Sequence, residues 1–232
     1  MARKIKIDNA ILKRLQRKET QRVENVKPKR KYTLIVCEGE KTEPNYFKAL
    51  KESLPKGVLE VCEFRIVGTG HNTASLVRRA MQLRTEWEEE TRRTVDKLWV
   101  VFDRDSFIPA AFNSAINTCI QNRPVVDCAW SNEAFELWYL LHFHYYNTGI
   151  SRTDYQRLIE NNFREKGLTG YTYQKNSTEM YALLQKYGDQ NAAIRNAKRL
   201  ERTYTGRQDY SNHNPCTLVY KLVEELEDLK KR

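Results

Sequence analysis

This 232-residue sequence predicts an α/β fold, with a mainly parallel four-stranded sheet flanked by helices and a C-terminal helical extension. Three observations predict it. The runs TLIVC (33–37) and KLWVVF (97–102) are apolar throughout, as strands buried on both faces are. Segments of helical period separate the strand candidates, with connections long enough for right-handed crossovers. From about residue 151 onward the helical period continues and no strand pattern returns.

Taken in order, TLIVC is the first strand. Thr42 as N-cap and Pro44 in the first turn open a helix carrying Tyr46, Phe47, Leu50 and Leu54. VLEVCEFRIVG (58–68) alternates Cys62, Phe64 and Ile66 with Glu63 and Arg65, a half-exposed strand, and GTGHNT (68–73) is a turn. Leu76, Val77, Ala80, Leu83 and Trp87 form a helical stripe. KLWVVF is the next strand, Ile108, Phe112, Ala115, Ile116 and Cys119 the next helix, and PVVDCAW (124–130) the fourth strand. FELWYLLHF (135–143) is apolar nearly all round, hence a buried helix containing His142. Four further helices are expected, around Tyr155–Phe163, Met180–Tyr187, Ala193–Leu200 and Val219–Leu229.

The chain is basic, with a net charge of +10, but unevenly so. Residues 1–31 hold twelve Lys and Arg against Asp8, Glu19 and Glu24, a net of +9, which leaves +1 for the rest. Pro28 and its basic neighbours in VKPKRKY (26–32) mark the boundary. The expected organisation is a basic arm (1–31), a core (32–150) and a helical extension of the same domain (151–232). Asp8 is placed to cap a short helix with Ile11, Leu12 and Leu15 on one face. Such an arm suits nucleic acid or an acidic partner, and equally a solubilising tail or a docked helix.

The 40% apolar content excludes a disordered chain. FELWYLLHFHYY is far shorter than the ~20 residues of a membrane span. No apolar secretory segment follows the basic start. The five cysteines form no CxxC pair, so reduced thiols in a cytoplasmic protein are expected and zinc is not.

Chemistry is concentrated at two strand ends. LIVCEGEKTE (34–43) ends in Glu38-Gly39, and LWVVFDRD (98–105) ends in Asp103 and Asp105. Ligands of parallel sheets bind beyond such ends. If the strands are neighbours, three carboxylates converge, and a hard cation is their natural counterweight. A strand-end acid can also simply cap a helix or face solvent, and Asp-x-Asp alone does not decide between these. Gly39 would let backbone approach a phosphate or adopt positive φ. His71 could shuttle a proton or merely decorate a loop, and His213 in SNHNPCT could position the turn that precedes the last helix. No Walker-type GxxxxGK[ST] is present.

The constellation resembles the Toprim domain, in which a Glu-Gly turn and an Asp-x-Asp hold Mg²⁺. VCEGEKTEPNYF (36–47), SNEAFELWYLLHF (131–143), Tyr173-x-Lys175, AIRNAKRLE (193–201) and NPCTLVYKLVEEL (214–226) are similar to the RloB-like family of Toprim proteins. The resemblance spans roughly 32–230. It implies a Toprim, Rossmann-like core and a Mg²⁺-dependent nuclease, with Mn²⁺ as a substitute. It further implies an effector of antiphage defence that works with an ABC- or AAA-type ATPase, with RNA, tRNA included, or DNA as target.

By this resemblance Glu38 is the general acid/base or a metal ligand, Asp103 and Asp105 the metal pair, and Glu136 a further acid. Glu136 could also be a helix-cap acid. Glu43 fits the EGxxTE pattern, as a metal ligand or as a first-turn acid. Lys175 falls on the family's Tyr-x-Lys and would neutralise phosphoryl charge. Lys41 and Arg104 could hold phosphate or form surface ion pairs. Tyr171 and Tyr173 could stack on bases or pack in the core. Where the family commonly has Asn-Pro, this chain has Asn132-Glu133, an added acid in a turn without proline. Two other readings stay open: a non-catalytic module binding nucleic acid or a phosphorylated ligand through the same metal site, and a structural subunit acting through its basic arm. The oligomeric state, a homodimer included, is left open.

Overall fold

The computed structural model describes residues 9–10, 12–14, 30–70, 73–105 and 108–231. The chain divides into two units, Met1–Arg30 and Lys31–Arg232. In the first, residues 9–10 and 12–14 are helical and Leu12 is exposed. Asp8, Ile11 and Leu15, named above for the arm helix, lie outside the described residues, as does His71.

The second unit runs β1 (Lys31–Cys37), α1 (Thr42–Glu52), α2 (Lys56–Val61), β2 (Cys62–Gly68), α3 (Thr73–Thr91), β3 (Lys97–Asp103), α4 (Pro109–Gln121), β4 (Asp127–Asn132) and α5 (Glu136–Leu140). It continues with α6 (Arg152–Glu165), α7 (Met180–Tyr187), α8 (Gln190–Thr203), β5 (Cys216–Thr217) and α9 (Val219–Asp228). The sheet order is β2-β1-β3-β4-β5, parallel except for the β4–β5 pair. The sheet is thus mixed and five-stranded where four strands were expected. The two-residue β5 is too short to show any period in the sequence.

Strand faces explain the apolar runs. Leu34, Val36, Leu98, Val100 and Phe102 enter one core with α3 and α4. Ile35, Cys37, Trp99 and Val101 enter the other, with α1 and the C-terminal helices. With both faces covered, alternation disappears. Trp138 of α5 donates from its indole nitrogen to the Tyr46 hydroxyl of α1 at 2.8 Å, which fixes the two helices whose first turns carry Glu136 and Glu43.

Three local expectations are corrected. Residues 58–61 are helical, because the Pro55 carbonyl accepts from Val58 and Leu59 and starts a turn ahead of β2. The fourth strand begins at Asp127, since Pro124 has no N–H for the ladder and Val125 is exposed. Ile108 precedes α4 and is 73% exposed, so it is not part of that helix's buried stripe. All five cysteines are free thiols. Among the described residues, no helix is long and apolar enough to cross a membrane.

Gly68 ends β2 against the loop after β1. A Cβ there would lie 2.6 Å from the Gly39 carbonyl oxygen and 2.7 Å from both Cα and the carbonyl oxygen of Glu40. These are backbone atoms, so the loop itself would have to move. Gly68→Ala is expected to cost about 2 kcal/mol, as overpacking does, read from the midpoint of urea unfolding at unchanged slope.

Candidate functional site

The strand order reverses direction between β1 and β3, the place where open α/β sheets form their ligand crevice. A cleft of about 400 Å³ opens there, walled by the loop after β1, the end of β3, the start of α5 and the segment around Lys175. Glu38, Glu43, Asp103, Asp105 and Glu136 all line it, together with Lys41 and Lys175. The β1–β3 register, Cys37 opposite Val101, puts both acidic strand ends at one edge.

Backbone and carboxylates brace each other. The Asp103 N–H donates to Glu38 Oε2 at 3.1 Å, and the Phe135 N–H donates to Asp103 Oδ2 at 3.0 Å. Asp103 Oδ1 is buried with no hydrogen-bond partner. Burial, then the charges of Glu43, Glu136 and Glu38, hold the Asp103 carboxyl well above the usual carboxylate range, against the opposing Phe135 bond. Glu43, only 5% exposed, is also raised, first by burial and then by Glu136, while Lys175 acts in the opposite direction. The cleft thus concentrates negative charge away from water, with a cationic side chain at its rim.

Gly39 has a different role from the one expected. Its φ is not positive, and the room it leaves is filled by Glu43, whose Oε2 would lie 2.2 Å from a Cβ at residue 39. Thr42 does not cap α1, whose N-cap is Lys41 without a side-chain bond. Its hydroxyl instead donates to the Lys175 carbonyl at 2.9 Å. Asn45 reaches the Asn176 carbonyl at 3.0 Å, so α1 fastens the 175–176 segment over the cleft. Asn176, absent from the sequence expectations, lines the cleft and does this fastening. Its one signal was adjacency to Lys175.

Tyr173 donates its hydroxyl to Glu136 Oε1 at 2.7 Å, and its N–H donates to Glu160 at 2.9 Å. It orients an acid rather than presenting an open stacking face. Tyr171 packs on Phe163 with ring centroids 4.6 Å apart. Arg104 does not line the cleft and faces Glu133 at 3.9 Å. That pairing also accounts for Glu133, which stays outside the acid group. Asp105 takes φ +44° and its N–H donates to the Glu133 carbonyl at 3.1 Å. Tyr155 was missed. It is buried, and burial followed by the charges of Asp103 and Glu136 raises its pKa. His142 is buried with Nδ1 2.9 Å from the Trp138 carbonyl, its pKa lowered by burial to about 4, and belongs to the core.

The donor set suits a hard divalent cation: carboxylate oxygens alone, one of them buried and unpartnered. Among the described residues, no three His, Cys, Asp or Glu side chains already converge closely enough to hold an ion. Glu38 and Glu136 are held by protein donors instead. Magnesium keeps several waters and needs only one or two carboxylates, so Asp103 with one neighbour would suffice. A family model described as RloB-like protein matches residues 33–226. No curated protein and no solved structure matches the chain.

Proposed function

The chain belongs to the RloB-like family, and from that premise and the acid cleft we propose a metal-dependent Toprim nuclease that hydrolyses nucleic-acid phosphodiesters. The observation that carries this reading is the buried, unpartnered Asp103 Oδ1 among Glu38, Glu43 and Glu136 at the β1/β3 crevice. Asp103, Glu38 and Glu136 would hold the ion, with Asp105 and Glu43 beside them. Bound Mg²⁺, or Mn²⁺ in its place, supplies Lewis-acid activation of the phosphodiester and a more acidic water.

The chain's own residues do the rest. Lys175 and Lys41, exposed at the rim, bind and orient the phosphate. Lys175 also balances charge that grows on the phosphoryl oxygens. Glu43, raised by burial, is a stronger base than an ordinary carboxylate and can take a proton from an attacking water. The Thr42 and Asn45 contacts hold the Lys175 segment in place. We further propose, on the family resemblance, an effector role in antiphage defence with an ATPase partner and RNA, tRNA included, among its targets.

A second reading, a binding module without catalysis, is favoured by Glu38 and Glu136 already accepting from the Asp103 N–H and the Tyr173 hydroxyl. The two are separated by incubating the purified chain with cellular RNA and genomic DNA in Mg²⁺, Mn²⁺ or EDTA and sequencing the ends produced. New ends that require the ion and vanish in Glu38→Ala support the nuclease. Retention of nucleic acid with no ion-dependent ends supports the module.

A further inference from the structure

A second pocket, of about 300 Å³, lies beside the end of α8 and β5 and is lined by Trp130, Tyr204, Arg207, Tyr210, His213 and Cys216 among others. Four of these six are aromatic. Tyr204 stacks on His213 with centroids 4.5 Å apart and planes 12° from parallel. Tyr210 meets both His213 and Trp130 edge-on, at 5.5 Å and 6.1 Å.

The loop carrying Tyr210 and His213 is braced by three hydrogen bonds from two elements, α4 and β4. Asn113 of α4 donates to Asp209 at 2.7 Å and accepts from the Ser211 N–H at 2.9 Å. Asn132 of β4 donates to the Ser211 carbonyl at 2.9 Å. The pocket is therefore held by a network and does not depend on a loose tip.

Two of its side chains end in unmet polar atoms. Trp130 Nε1 and His213 Nε2 are buried without a hydrogen-bond partner, in residues only 2% and 5% exposed. At the rim, Arg202 and Arg207 are exposed and in no ion pair among the described residues. The adjacent acid, Glu201, is already taken by Lys221 at 2.6 Å and by the Tyr220 hydroxyl.

We propose that this pocket binds one unpaired nucleobase together with its phosphate. A flat heterocycle stacks on the aromatic faces. Its phosphate meets the rim arginines. An apolar ligand would leave the arginines unused, and bare phosphate would leave the aromatic faces unused. The volume is at the lower end of the range for ligand pockets and suits a single nucleotide. The site stands on its own residues, whether or not the acid cleft is catalytic.

The test is calorimetric titration of the full chain, in EDTA, with the four nucleoside monophosphates, with single-stranded ten-mers and with inorganic phosphate. Saturable binding of a monophosphate identifies a free nucleotide as the source, and binding of ten-mers alone identifies a strand. Tyr204→Ala is expected to weaken the bound probe about tenfold, the loss of one stacking contact, and Tyr204→Phe to retain it. Asp103→Asn is expected to leave it unchanged, which keeps this result separate from the acid cleft. No binding of any base-bearing probe, equal binding of inorganic phosphate alone, or full affinity in Tyr204→Ala would overturn the proposal.

Discussion

Glu38→Gln and Asp103→Asn are each expected to lower ion-dependent phosphodiester cleavage by on the order of 10³-fold, the scale of losing a preorganised charge at the reacting centre. Both replacements can keep the hydrogen bond named for each residue above. A glutamine at 38 can still accept from the Asp103 N–H, and an asparagine at 103 can still accept from the Phe135 N–H. What changes is the negative charge, so the loss reports on charge and not on a collapsed loop. Arg104→Ala serves as the contrast. It lies outside the cleft, half-buried and facing Glu133 at 3.9 Å, and is expected to change the rate by less than about threefold, because it lines no part of the acid site. The measurement is single-turnover cleavage in saturating Mg²⁺, with circular dichroism to check the fold. Wild-type rates in both acid variants would refute the catalytic assignment.

Burial leaves a compositional trace in this sequence where a strand is covered on both faces. β1 and β3 are covered on both faces, so their residues are apolar without a break, and the acids at their ends stand out by contrast. Their adjacency, which brings Glu38 and Asp103 together, is a fact of topology that no local pattern contains. What stayed hidden depends on single contacts. Thr42 has the composition of a cap, yet its hydroxyl serves the Lys175 carbonyl 133 residues away. Gly39 suggested backbone freedom, while the actual constraint is the Glu43 carboxylate lying over it. Phe135 contributes through its N–H, which is the same in every residue but proline. Two residues of β5 and six of α2 are too few for periodicity to separate them from a loop or a strand.

Asp103→Asn is also expected to stabilise the fold when no divalent cation is present, by about 1–3 kcal/mol, the cost of one buried unsatisfied acceptor. That corresponds to a rise of roughly 2–12 °C in Tm for a domain of this size. The Asp103 carboxyl keeps one oxygen buried without a donor and is crowded by Glu43, Glu136 and Glu38. An asparagine amide placed there would donate to those acids instead of repelling them. The sign of the pH dependence follows. Asp103 and Glu43 both have folded pKa values above those of the unfolded chain, about 3.9 and 4.3. Between those values and the raised folded ones, the native state binds more protons, so wild-type stability falls as pH rises. Carboxyls held low elsewhere, such as Glu201, act in the opposite direction in both proteins. The informative quantity is therefore the difference between wild type and variant, which should widen from pH 4 toward pH 7. Adding Mg²⁺ should reverse the order. At a thousandfold its dissociation constant an ion adds about 4.1 kcal/mol to the protein that binds it, more than the variant gains, and the variant lacks the central carboxylate. Urea unfolding at pH 5 and pH 7, with and without Mg²⁺, measures all four conditions. Equal stabilisation of both proteins by the ion, or a variant less stable than wild type at pH 7 in EDTA, would show that Asp103 is held for packing and not for a cation.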